Sequence, residues 1–294
     1  MLIDKLVVIG FGLIGASVAA GLREKNQCRE VIAIARSEFT RAEAIKRKLA
    51  DRAFDAIENL PDQLTANDLI LVAVPTLTTE SVFKSLAKCV PESVTITDCA
   101  SVKGSIRSAA LNAWGKFPSQ LVLGHPIAGS EQSGVTAANP NLYVNHKVIV
   151  TPEDCDQPHH IERVKTLWET LGAEVITMPV WEHDVVLAAT SHLPHVIAYS
   201  LVDTLANDEE NENIFRYAAG GFKDFTRIAS SDPTMWHDIM LANRDCILRA
   251  LDLFQGNLQN LRQAIDTGDS EQLLKVFRRA KEARDEFIFG KNQK

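Results

Sequence analysis

Up to Pro179, short apolar runs alternate with stretches whose apolar positions recur every three or four residues. The runs are residues 5–10 (KLVVIG), 30–35 (EVIAIA), 68–74 (DLILVAV), 94–98 (VTITD), 121–124 (LVLG), 147–150 (KVIV) and, after a helical segment at 161–171, 174–178 (EVITM). Strands that are apolar on both faces and separated by helices predict a parallel sheet covered on both sides, the doubly wound α/β arrangement of Rossmann type. Beyond Pro179 the period is helical throughout. The pattern therefore predicts an α/β domain over residues 1–178 and an all-α domain over 179–294. In the second, Asp232 and Pro233 read as N-cap and first helical position. Trp236, Ile239, Asn243, Ile247, Ala250, Phe254, Leu258, Leu261 and Ile265 then follow at helical spacing, which predicts one helix of about 50 Å. Gly268 ends it, and Asp269 with Gln272 opens a last helix. A long amphipathic helix with few residues left to cover it predicts packing against a second copy, a homodimer.

Composition narrows the class of partner. The chain has 294 residues, 46% of them hydrophobic and 23% charged, with a net charge of -7. An acidic balance gives no general attraction to nucleic acid or anionic membrane, so a small-molecule partner is expected and an anionic one needs a local basic group. The five cysteines are scattered, without the spacing of a zinc site or redox pair, and read as reduced thiols of a cytoplasmic protein. The N-terminus has no signal-peptide pattern. No run approaches the ~18–20 continuous apolar residues of a membrane span.

Two constellations carry chemistry. Gly10, Gly12 and Gly15 form G-x-G-x-x-G between the first apolar run and a helical segment. In that context the pattern predicts dinucleotide binding, with the pyrophosphate at the helix N-terminus near Gly12, Leu13, Ile14 and Gly15. The position that normally holds an acidic residue for the ribose 2′-hydroxyl is Ala35, followed by Arg36. Loss of the carboxylate and gain of a guanidinium favour NADP over NAD. The second constellation is Ser101, after the fourth run, with His125 in GHPIAGSEQSG after the fifth (residues 124–134). Both fall at the carboxyl edge of the expected sheet, where such folds bind ligands. A histidine there can take a proton; for Ser101 a helix-capping role competes. In the helical domain, SHLPH supplies His192 and His195, whose intervening Pro194 and missing third ligand argue against a metal. Arg227 either pairs with Asp224 on a helix surface or anchors a carboxylate.

GFGLIGAS (10–17), SVKG (101–104), GHPIAGSE (124–131), SHLPH (191–195) and GGFKDFTRIASSDPTMW (220–236) occur in the order, and over nearly the whole length, that resembles the prephenate and arogenate dehydrogenase family of tyrosine biosynthesis. The resemblance implies a nucleotide-binding domain, a helical dimerisation domain, and oxidative decarboxylation with hydride transfer to NAD(P). It also implies that His125 accepts the proton of the ring hydroxyl, that Ser101 orients both, and that Arg227 binds a substrate carboxylate. His195 then lines the substrate pocket, Glu131 and Trp236 lie near its mouth, and Asp224 lies near Arg227. Prephenate and arogenate share the ring these residues address, so both stay open as substrates. A non-catalytic dinucleotide-binding scaffold is the alternative of another class, and it has no use for the His125 and Ser101 pair.

Overall fold

The computed structural model describes all residues except 61–62, 131, 209–213 and 290–294. They form two compact units, Met1–Cys246 and Ile247–Lys294. In chain order the first unit contains β1 (Ile3–Ile9), α1 (Leu13–Glu24), β2 (Cys28–Ile34), α2 (Glu38–Lys46), β3 (Arg52–Phe54), β4 (Leu69–Val72), α3 (Thr79–Cys89), β5 (Thr95–Asp98), α4 (Lys103–Trp114), β6 (Leu121–Ile127), β7 (Lys147–Thr151), α5 (Pro158–Thr170) and β8 (Glu174–Thr177). Helices α6 (Val180–Leu187), α7 (Leu193–Ala206), α8 (Gly220–Thr226) and α9 (Pro233–Ala242) follow, then α10 (Arg244–Asp266) and α11 (Ser270–Phe289). The strands make one eight-stranded sheet in the order β3-β2-β1-β4-β5-β6-β7-β8.

The unbroken apolar runs arise because both faces of the sheet are covered. Leu6, Val8, Leu69 and Leu71 enter one core with Trp168 of α5, whereas Val7, Ile9, Ile70 and Val72 enter the other with Phe83 of α3. Alternate residues thus point to opposite cores. The order reverses at β1 and β4, so the crevice beyond their carboxyl ends is the topological switch point where such sheets bind ligands.

Three details depart from the pattern read along the chain. β3 pairs with β2 at the sheet edge but is only half-buried and three residues long, which leaves no apolar run to announce it. β7 pairs antiparallel with β6. Among the described residues the connection from β6 to β7 carries only a short 3-10 turn (Val135–Ala137), and without a crossover helix the chain returns antiparallel. The single long helix expected from Pro233 to Ile265 is broken at Asn243, which takes φ -109 and ψ 27 between α9 and α10. Asn243 is buried, and its side chain is used elsewhere, as shown below.

The expected stops and starts are present: Asp232 caps α9 through the N–H of Met235 at 2.9 Å, Gly268 takes a positive φ, and Asp269 accepts from Gln272 N–H at 3.0 Å. The segment Val180–Ala206 is, by length and composition alone, apolar enough to cross a membrane, contrary to the expectation of no such stretch. The test on continuous apolar runs missed it because His183, Asp184, His192 and His195 interrupt the segment. His183, Asp184 and His192 are buried inside the first unit.

Candidate active site

At the switch point, Gly10 has φ +91, and a Cβ there would lie 2.3 Å from the carbonyl oxygen of Ala73. Only glycine permits β1 to pass β4 so closely. A Cβ on Gly15 would meet the Gly10 carbonyl at 2.5 Å and Val8 Cγ1 at 2.6 Å, so α1 rests directly on the strand. Gly12 differs: among the described residues no atom lies within 4 Å of a Cβ placed there, and no side chain caps α1. The leading N–H groups of α1, those of Leu13, Ile14 and Gly15, lack intrahelical acceptors and form a natural cradle for a pyrophosphate. After β2, Ala35 and the exposed Arg36 occupy the turn into α2. Arg41 Nη1 donates to the carbonyls of Ala35 and Arg36, 2.7 Å each, and holds this turn in place.

The carboxyl edge continues through β5 and β6. β6 outruns β5, and on that side the backbone of Gly124 is satisfied by side chains where β5 no longer pairs with it. Its N–H donates to Asp98 Oδ1 at 3.1 Å and its carbonyl accepts from Lys103 Nζ at 2.6 Å. Asp98 and Lys103 form an ion pair with each other, both completely buried. Asp98 Oδ2 also accepts from Ala100 N–H at 2.9 Å. This pair fixes the strand immediately before His125.

His125 lies within β6 rather than after it and is 7% exposed. Burial, with the Lys103 charge adding to it, pushes its pKa well below the ordinary histidine value, so it is neutral near pH 7. Its Nδ1 is 2.8 Å from His183 Nε2, and His183 Nδ1 is 2.8 Å from Asp184 Oδ1. Asp184 in turn accepts from the N–H of Lys103 at 2.8 Å and of Gly104 at 2.7 Å. Burial pushes the Asp184 carboxyl up, but the hydrogen bonds from His183 and the two N–H groups outweigh it and hold the pKa below the usual range. Burial lowers the His183 pKa despite that carboxylate, so the pair is a hydrogen bond between a neutral ring and an anion.

Ser101 sits half-buried in the turn between β5 and α4. The competing capping role fails: the N-cap of α4 is Val102, with no side-chain cap of its own. Asp184 caps the helix instead, from α6. A Cβ on Gly104 would lie 2.7 Å from Asp184 Oδ2, which explains the glycine in SVKG. Ser101 and His125 therefore occupy the ends of adjacent strands at one edge of the sheet.

On the helical side, His195 stacks on Trp236 with ring centroids 3.5 Å apart and planes inclined by 22°. His195 Nδ1 donates to the Ser191 carbonyl at 2.8 Å, which leaves Nε2 as an acceptor. Burial lowers the His195 pKa, and the charge of nearby Arg227 adds to the effect. The latter places the exposed Arg227 guanidinium within electrostatic reach of the histidine and tryptophan pair. Trp236 is buried, and its Nε1 has no acceptor among the described residues. Asp224 is exposed on α8, and Glu131 falls outside the described residues. His192 packs edge-on to Trp236 and accepts at Nδ1 from Asn243 Nδ2, 3.1 Å away, while the same amide donates to the Asp184 carbonyl at 2.8 Å. The break in the long helix thus turns the Asn243 side chain inward to tie α6 to the π-helical turn Ala188–His192.

Sequence reasoning did not single out His183, Asp184, Lys103 or Asp98, and read Asn243 as part of an apolar stripe. The available signal was the run Glu182, His183 and Asp184 inside a helix whose remaining residues are apolar.

Two family descriptions match this chain: the nucleotide-binding domain of prephenate dehydrogenase over residues 18–177 and its dimerization domain over residues 180–279. The chain belongs to the prephenate dehydrogenase family. It is 36% identical to the cyclohexadienyl dehydrogenase of Zymomonas mobilis over 95% of this chain and 94% of that one. It is 35% identical to the prephenate dehydrogenase of Bacillus subtilis, over 96% of this chain and 76% of that protein. The crystal structure of prephenate dehydrogenase from Aquifex aeolicus, in complex with hydroxyphenyl propionate and NAD+, matches at a TM-score of 0.89 and 34% identity over 97% and 98% of the two chains.

Proposed function

We propose that this protein oxidatively decarboxylates prephenate to 4-hydroxyphenylpyruvate, with His125 as the base. The observation that carries this reading is a buried, neutral histidine on the ligand-binding edge of a dinucleotide-binding sheet, with Nδ1 engaged by the protein and Nε2 left to accept a proton. A bound nicotinamide would supply the acceptor for the hydride on the ring carbon that bears the hydroxyl. His125 takes the hydroxyl proton as the hydride leaves, a role typically worth ~10² to 10⁴ in rate. Carbon dioxide then leaves, its bonding pair completes the aromatic ring, and the proton returns to the phenol oxygen. Loss of carbon dioxide makes the step one-way.

Ser101 orients the hydroxyl and His125. Arg227 anchors a substrate carboxylate, and the stacked His195 and Trp236 line the substrate's side, where the Trp236 N–H supplies a buried donor. Asp224 belongs to the rim of this site, and Glu131, outside the described residues, keeps the substrate-binding role that the family resemblance implies. Gly10, Gly12, Leu13, Ile14 and Gly15 hold the dinucleotide. Ala35 and Arg36 favour NADP over NAD, because alanine removes the carboxylate that would repel a 2′-phosphate and arginine supplies a guanidinium able to bind one. Arogenate is the second substrate reading, favoured by the similarity to an enzyme named cyclohexadienyl dehydrogenase.

The nucleotide-binding domain spans residues 1–178 and the helical domain 179–294, and the active protein is a homodimer. The exposed Leu253, Leu258 and Ile265 of α10 and Phe277 of α11 support the dimer as apolar side chains of the kind that a second copy would cover. Five free cysteines agree with a cytoplasmic setting.

Initial rates of reduced-nicotinamide formation with prephenate and with arogenate, each against NADP and NAD, test the proposal. Turnover of prephenate is expected, faster with NADP. Folded protein that binds cofactor and turns over neither substrate would overturn it.

A further inference from the structure

The imidazole of His125 has two ways to carry its single proton when neutral, and only one leaves Nε2 able to accept. In the other, Nε2 bears a hydrogen and the residue is no base at that atom. We infer that His183 and Asp184 are positioning residues that lock His125 into the Nδ1-protonated form and stabilise the imidazolium that forms as the hydroxyl proton is taken. This inference rests on the assignment of His125 as the base.

The hydrogen-bond directions follow in sequence from the carboxylate. Ionised Asp184 only accepts, and it already accepts from two backbone N–H groups at the start of α4. His183 Nδ1 must therefore be the donor to it. A neutral His183 then has a bare Nε2, which can only accept, so His125 Nδ1 must carry the hydrogen between the two rings. The relay is rigid at its far end. Asp184 is fastened by the Lys103 and Gly104 N–H groups, its own carbonyl is held by Asn243, and Gly104 has no Cβ to push it away. The near end is fastened by the Asp98 and Lys103 pair on Gly124.

When His125 accepts the substrate proton, its Nδ1–H still points at His183, and the Asp184 charge lies one ring beyond. The charge on the ring is thereby stabilised without a water molecule. The titratable and charged groups that face His125 are His183 from α6, Lys103 from α4 and His192 from the π-helical turn. Those that face His183 include Asp184, Lys103 and Asp98. Lys103 and any protonated histidine oppose charge on His125, whereas Asp184 acting through His183 is the favourable contribution. Glutamine at position 183 can reproduce the relay, with its carbonyl oxygen accepting from His125 and its amide donating to Asp184; leucine can do neither.

The test compares His183→Leu and His183→Gln with wild type in kcat, KM, their pH profiles and cofactor affinity, together with nitrogen-15 NMR of the His125 ring in the wild-type protein. The expected NMR result is a protonated Nδ1 and a bare Nε2 above pH 7. For His183→Leu the expected kcat falls about 10- to 100-fold, the range that a hydrogen bond behind a functional histidine carries, with KM and cofactor affinity within about threefold by the same reasoning. The acid limb of its pH profile moves to lower pH, because the imidazolium has lost its acceptor. His183→Gln recovers most of the rate and the limb. A merely structural role would lower yield and stability without moving the limb. Wild-type His125 protonated at Nε2 would overturn the relay even if His183→Leu did not fold, and so would an unchanged kcat and limb in folded His183→Leu. Activity of His125→Asn separates the two readings: if that variant is dead while His183→Leu is unaffected, only the relay fails; if it turns over normally, the base assignment itself fails.

Discussion

Replacing Lys103 by methionine removes the ammonium that joins β5 to β6 while keeping a flexible apolar stem of similar reach. Two acceptors lose their donor: the Asp98 carboxylate and the Gly124 carbonyl, the latter 2.6 Å from Nζ. Both ionic side chains are at or below 1% exposure, so water does not replace the lost contact. Removing one member of a buried ion pair costs about 3–5 kcal/mol because the other charge is stranded. Asp98 keeps the N–H groups of Ala100 and Gly124, which puts its share near the lower end. The orphaned carbonyl adds about 1 kcal/mol. A loss of about 4 kcal/mol is expected, a large part of the ~5–15 kcal/mol that holds a domain folded. Urea unfolding followed by circular dichroism measures it. The same substitution loosens β6 one residue before His125, so kcat should fall in whatever protein remains folded. Asp98→Asn added to Lys103→Met removes the stranded charge and should restore about 2 kcal/mol or more. A loss below about 1 kcal/mol in the single variant, or no recovery in the double one, would show that the pair does not carry the load assigned to it.

His125→Asn should lose ~10² to 10⁴ in kcat with cofactor affinity unchanged, whereas Arg227→Ala should act chiefly on KM; steady-state kinetics with a cofactor titration separates the two, and equal activity of His125→Asn and wild type would refute the base. Ala35→Asp should shift the ratio of kcat/KM for NAD over NADP upward by about tenfold or more, the worth of one charge-assisted hydrogen bond; an unchanged ratio would remove the Ala35 and Arg36 turn from cofactor choice. Asp156 is 8% exposed, its Oδ1 has no partner among the described residues, and burial pushes its pKa up to about 7, with the Glu153 charge contributing. Its folded pKa lies above the unfolded one, so the folded state holds the extra proton and stability falls as pH rises from about 4 through about 7. Asp156→Asn should therefore gain more stability at pH 8 than at pH 5, as read by thermal unfolding, and an equal gain at both would contradict the shift.

Local pattern was enough for the parts of this protein whose physics is local. Two-sided burial writes itself as unbroken apolar runs, so the central strands β1, β2, β4 and β5 are legible, as are the Asp232 and Asp269 caps. The glycines of the fingerprint follow from one strand, one turn and one helix, and the clashes at Gly10 and Gly15 bear out that reading. Edge strand β3 and the reversal of β7 were not legible, because pairing direction depends on the path of the connection rather than on composition. Asn243 satisfied a helical period and yet ended a helix, because its amide is worth more as a buried donor to His192 and Asp184 than as one more turn.

The sequence by itself determined a dinucleotide-binding sheet, a helical region after it, and His125 and Ser101 as residues at one sheet edge. Tertiary structure alone decided what holds them. His183 and Asp184 lie 58 and 80 or more positions from the groups they bind, and Lys103 lies 21 from the carbonyl it holds. Hydrogen bonds of that span leave no periodic trace, because each depends on where two distant backbones come to rest and not on the residues beside either partner.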